Sequence, residues 1–179
     1  MSDTYDYLRQ FLPPHPEYDG TQRNHFYPIS EEEIIEAENK FGIEFPLQLR
    51  EFYRQIGAGF LDTPHNAPKG YRASDVNYIM PPKVVAYFYQ GIIEHQKEPK
   101  EEALNYDDFW LALSALEDFV PGDLPFFEIG ESSSFMIMKL NSDNPNAVWY
   151  MGYEKIEDSF EEFIRKLYYE GPSYYTKNW

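Results

Sequence analysis

Leu49, Phe52, Tyr53 and Ile56 recur at i, i+3, i+4 and i+7, and Gln48, Arg50, Glu51, Arg54 and Gln55 fall on the other faces. That period places one apolar stripe along an amphipathic helix. Pro46 locks its own φ near the helical value and lacks only an N–H that a first turn leaves unpaired, which predicts a helix with Pro46 at its first position. Gly57 or Gly59 then supplies the left-handed backbone that ends it. Just upstream, Ser30 and Glu33 form an S-x-x-E capping box, with Ile29 and Ile34 as its hydrophobic staple. This predicts another helix, carrying Ile34, Ile35, Glu38 and Phe41 to a cap at Gly42. The two segments read as a helical hairpin with facing apolar stripes, joined by the elbow "GIEFP".

Residues 1–28 mix proline, histidine and aromatics without a period, and read as an N-terminal extension draped over a single domain of residues 29–179. After the hairpin, "FLDTPHNAPKGYRASD" is a surface loop rich in turn residues. A short extended piece, "VNYIM", follows. Pro82 opens a further helix with Val84, Val85, Phe88, Tyr89, Ile92 and Ile93 at helical spacing. "HQKEPKEEALNYDD" is a charged connection broken at Pro99, and Phe109, Leu113 and Leu116 give "DDFWLALSALEDF" a partly helical pattern. Beyond it the period changes: "LPFFEIGES", "SFMIMKL" and "AVWYMGY" are short strand-like runs, with "NSDNPN" as a hairpin loop between the last two. Ser159 and Glu162 repeat the capping box, and Phe160, Phe163, Ile164 and Leu167 predict a closing helix stopped at Gly171-Pro172. The expected fold class is α+β, with an N-terminal helical hairpin and a C-terminal helix packed on a small, mainly antiparallel sheet.

Composition narrows the chemistry. A chain of 179 residues forms one domain that buries roughly 70% of its unfolded surface. Cysteine is absent, which excludes thiol catalysis, cysteine-bound zinc and disulfide exchange. No run approaches the roughly 18 apolar residues of a membrane span, and the opening "MSDTYDYLRQF" has no basic segment followed by an apolar stretch, so a soluble, cytoplasmic protein is expected. The formal net charge is -16. It repels nucleic acid and anionic lipid and attracts basic proteins, although solubility alone also accounts for such a charge. Tyr 16 and Phe 14 supply interface anchors as well as core.

Catalytic motifs are not evident. His15, His25, His65 and His95 are far apart and fit no H-x-x-x-H frame, so no metal is expected. Glu31, Glu32, Glu33 and Glu36 sit where the dipole of a helix start favours acids. Ser132–Ser134 lack the G-x-S-x-G frame, and Gly57–Gly59 follow a helix where a phosphate loop would precede one. Adjacent acids such as Glu101 and Glu102 lie in a polar connector and read as solvated. No catalytic residue and no cofactor is expected.

The stretch "ISEEEIIEAENKFGIEFPLQLREFYRQIGAG" resembles the opening signature of the SUKH superfamily, which includes yeast cell-wall-assembly regulators and many bacterial immunity proteins. Ile34, Glu38, Gly42, Ile43, Phe45, Pro46, Phe52 and the Gly57–Gly59 turn occupy that signature. "VNYIMPP" is similar to the family's asparagine-containing strand before a helix, and "LPFFEIG", "FMIMKL", "AVWYM" and "SFEEFIRKL" resemble its sheet and last helix in order. The resemblance covers about Ile29 to Leu167. One departure is "GESSSF", standing where many relatives carry a glycine- and aspartate-rich turn, with Glu131 as the nearby acid.

The resemblance implies a non-enzymatic antidote that binds a toxin domain, commonly a nuclease. The negative charge fits such a partner independently, because a nuclease's basic cleft attracts an acidic surface. The expected function is therefore an immunity protein that neutralises a cognate, basic toxin, with no direct contact to nucleic acid or membrane. The expected contacts are Asp107, Asp108, Asp123, Glu128, Glu131 and Asp143, with Tyr106 and Trp110 as aromatic anchors. Loop solubility for the acids and core packing for Trp110 are the competing readings. The alternative function is a regulatory scaffold or small-ligand-binding module.

Overall fold

A computed structural model describes residues 4–14, 23–68, 71, 77–97, 119–130 and 134–175. Among them, seven strands form one sheet in the order of the chain: β1 (His25–Tyr27), β2 (Ala58–Phe60), β3 (Asn77–Ile79), β4 (Asp123–Ile129), β5 (Ser134–Lys139), β6 (Val148–Tyr150) and β7 (Glu154–Glu157). Every neighbouring pair is antiparallel. The helices are α1 (Glu31–Phe41), α2 (Leu47–Gln55), α3 (Pro82–Lys97) and α4 (Phe160–Glu170). The fold is α+β.

The capping box opens α1 as its spacing requires. The Ser30 hydroxyl accepts from the Glu33 N–H at 3.2 Å, and the Glu33 carboxylate accepts from the Ser30 N–H at 2.8 Å. Gly42 ends the helix with φ 64° and ψ 37°, a left-handed conformation that costs glycine little. Pro46 stands one position earlier than expected. Its ψ of 140° makes it the N-cap, and its carbonyl accepts the first helical bond, from the Arg50 N–H at 3.0 Å. The hairpin itself is not the dominant packing, since α1 lies more extensively against α3 than against α2.

The sheet is wider than the small one expected. β4, β5 and β6 fall in the apolar runs read as strands, but β7 lies in a stretch that no run marks, β1 in the stretch read as an extension and β2 in the stretch read as a helix stop. The paired glycines explain the latter. A Cβ on Gly57 would overlap the carbonyl oxygen of Tyr27, and one on Gly59 would overlap that of His25, so both glycines admit the β1 backbone beside β2. The N-terminal segment also enters the body: Tyr5, Leu8 and Phe11 are buried around a 3-10 turn at Asp6–Phe11.

One sheet face packs on α2 and α4 through edge-to-face rings. Tyr5 meets Phe52 at 5.0 Å, Phe52 meets Phe160 at 5.3 Å, and Phe126 meets Phe160 at 5.4 Å. Pro125 has no N–H for the ladder, and the β4–β5 register slips between Pro125 and Phe127. As a result the adjacent rings of Phe126 and Phe127 both reach α4, at Phe160 and Phe163. On the opposite face Phe88 of α3 meets Phe135 of β5 at 5.4 Å.

Candidate partner-binding surface

Of the eight expected contact residues, Tyr106, Asp107, Asp108, Trp110 and Glu131 lie outside the described residues. The remaining three occupy different environments. Asp123 begins β4 and is only 4% exposed. Its carboxylate accepts from the Val120 N–H at 3.2 Å and closes the turn into the strand, and burial raises its pKa against the opposing pull of that bond and of Lys139. It shapes the surface from beneath.

Asp143 is exposed on the loop between β5 and β6. That loop is tethered at both sides. Asn144 Nδ2 donates to the Asp158 carbonyl at 2.8 Å, and Asn146 Oδ1 accepts from the Gln48 N–H at the start of α2, at 3.0 Å. Gln48 Oε1 in turn accepts from Ser159 Oγ at 3.0 Å and from the Glu161 N–H at 3.2 Å, so the same junction caps α4. Asp143 is thereby presented on a loop held by two helix starts.

Glu128 lies mid-strand in β4, half-buried, and burial raises its pKa. The sheet register sets it in a row that the sequence does not reveal: His25 faces Phe60, Phe60 faces Tyr78, and Tyr78 faces Glu128. The rings of His25 and Phe60 lie 4.8 Å apart and those of Phe60 and Tyr78 stack at 4.7 Å. Tyr27, next to His25 on the outermost strand, is 52% exposed. Alternation within "GF" and "NYI" marks each residue's face, but three-residue strands carry no signal of which strand pairs with which.

A cleft of about 290 Å³ opens between β7 and α4. Glu154, Glu157 and Glu170 line it together with Lys166 and Tyr174. Lys166 Nζ is 2.5 Å from Glu157 Oε1, a pairing that raises the pKa of the lysine, while burial raises that of Tyr174. Three carboxylates against one pinned ammonium leave the cleft negative. Glu154 and Glu157 are acids of a strand the sequence pattern does not mark.

The acids of α1 are largely committed within the fold. Glu31 takes Arg50 and Arg54, each at 2.7 Å, and Glu33 serves the capping box. Glu38 Oε1 accepts from the Phe45 N–H at 3.0 Å and pairs with Arg50 at 3.3 Å, which ties the elbow to both helices. Among the described residues, no group of three or more His, Asp or Glu is placed to hold a metal ion, and no helix is long and apolar enough to cross a membrane.

Fold and surface define a class: an antiparallel meander clasped by helices, with acidic and aromatic side chains presented on its outer strands and loops. The chain belongs to the SMI1 / KNR4 family (SUKH-1), whose family model matches residues 28–166. Over 156 residues it is 30% identical to a protein of Bacillus subtilis (strain 168) named Immunity protein YxxD, covering 87% of this chain and 90% of that relative. No solved structure matches it.

Proposed function

We propose that this protein is an immunity protein that binds and neutralises a cognate toxin domain, basic and of the nuclease type, in the cytoplasm and without chemistry of its own. The observation that carries the reading is the similarity to Immunity protein YxxD along nearly the whole of both chains. The charge supports it. A nuclease holds polyphosphate in a basic cleft, and a chain of net charge -16 competes for that cleft by steering association, while close contacts set the final affinity. In this reading the rigidly held Asp143 and the half-buried Glu128 contact the toxin, together with Tyr106, Asp107, Asp108, Trp110 and Glu131. Asp123 acts indirectly, by holding the turn at the start of β4.

Co-expression with the toxin domain encoded beside its gene tests the proposal. Cells are expected to survive, and the two chains to co-purify. Toxicity that persists with no complex formed sinks the reading, and turnover of a substrate by the purified chain replaces it with an enzymatic one. Asp143→Lys is expected to slow association several-fold at low salt and to flatten its salt dependence; stopped-flow rates at two ionic strengths read this directly.

A further inference from the structure

Glu128 is unusual among the described acids. It is half-buried in the middle of a strand, and neither a hydrogen bond nor an ion pair reaches it among the described residues. A carboxylate held out of water without a partner is costly, and one that persists on a surface is set to receive a donor from outside. Its cross-strand neighbour is Tyr78. The Tyr78 ring stacks on Phe60 at 4.7 Å with 25° between planes. Paired across the strands, Tyr78 also lies close enough to Glu128 for that carboxylate to add to the effect of burial in raising the tyrosine pKa.

An aromatic face beside a free carboxylate matches one side chain better than any other. A guanidinium is planar and weakly hydrated; it stacks on a ring while presenting paired N–H donors to a carboxylate at the ring's edge. A lysine ammonium is more strongly hydrated and offers no plane to stack. The net charge of -16 draws a cationic partner to the molecule, and Glu128 is the acid this row offers it. We propose that Tyr78 and Glu128 form a seat for an arginine side chain of the toxin partner, an assignment that rests on the immunity reading above.

The test begins with the full chain alone, followed by NMR during titration with N-acetyl-arginine amide and, in parallel, N-acetyl-lysine amide. Saturable shifts are expected at Phe60, Tyr78 and the Glu128 carboxyl, with lysine about threefold weaker. Glu128→Gln, which keeps the strand's shape, is expected to weaken arginine binding about tenfold, and Tyr78→Leu to weaken it while leaving the fold's other shifts in place. Shifts scattered over the acidic surface and unchanged by Glu128→Gln overturn the seat. So does concentration-dependent broadening confined to the row without any additive, which makes the face a contact between two copies of this chain. With the toxin in hand, an unchanged Kd in Glu128→Gln overturns the seat and leaves the immunity reading standing. Localised arginine shifts with no toxin complex do the reverse.

Discussion

Glu38 shows how one carboxylate joins three segments. It accepts from the Phe45 N–H after the elbow and pairs with Arg50 on α2, while its own backbone belongs to α1. Glu38→Ala is expected to lower stability by about 1–3 kcal/mol, because the Phe45 N–H and Arg50 lose their acceptor together. Glu38→Gln, which retains an acceptor oxygen, is expected to restore part of that loss in urea denaturation. Asp62 makes a different case. It is 3% exposed and accepts from the Asn77 N–H at 2.6 Å, yet burial outweighs that bond and the Arg23 charge and raises its pKa from 3.8 to about 6. The amide nitrogen of Asn77 makes no hydrogen bond of ordinary geometry, although it stands close enough to the carboxylate to oppose the rise. The folded chain therefore holds this proton more tightly than the unfolded one. The stability it contributes is complete below about pH 4 and is lost as pH rises through about 6. Asp62→Asn is expected to flatten the decline across that window, read as the change in urea midpoint between pH 4 and pH 7.

Between elements, the governing contacts are close approaches and shared caps. Gly59 has φ 153° and lies against the His25 backbone, so a methyl group there pushes β1 from β2. Gly59→Ala is expected to cost about 1–3 kcal/mol and to expose the amides of β1 to rapid hydrogen exchange while those of β4 and β5 stay protected. Loss of protection spread evenly over the sheet would argue against this localisation. The expected helical hairpin also belongs at this scale. Its capping box and elbow form as their residues dictate, but amphipathic periodicity says only that a helix has an apolar face. The partner that covers most of α1 is α3, more than forty residues further along the chain.

At the scale of the molecule, charge and burial divide the work. Aromatic residues join the aliphatic ones in the core on both sheet faces, and the row from His25 to Tyr78 is one of the aromatic stretches left half-exposed, on an outer part of the sheet. The N-terminal segment contributes to that core with Tyr5, Leu8 and Phe11, and Tyr5 Oη donates to the Gln48 carbonyl at 3.4 Å. Deleting residues 1–14 is expected to lower the thermal midpoint sharply, since each large buried side chain is worth roughly 1.5–3 kcal/mol of transfer free energy. A midpoint unchanged by the deletion would show that the segment lies on a body already complete without it.

The sequence by itself determined what depends on near neighbours. The capping box at Ser30, the serine cap at Ser159, the glycine stop at Gly42, the proline-led starts of α2 and α3, the apolar runs of β4 and β5 and the loop at Asn141–Asn146 are set by residues within a few positions of one another, because backbone sterics and hydrogen-bond periodicity act at that range. Only the tertiary structure decided that Gly57 and Gly59 make room for β1, that Asp123 lies beneath the surface, and that Tyr78 stands between Phe60 and Glu128. Those relations join strands separated by tens of residues, and strand pairing is chosen by the burial of the whole sheet, a quantity no short window of sequence contains.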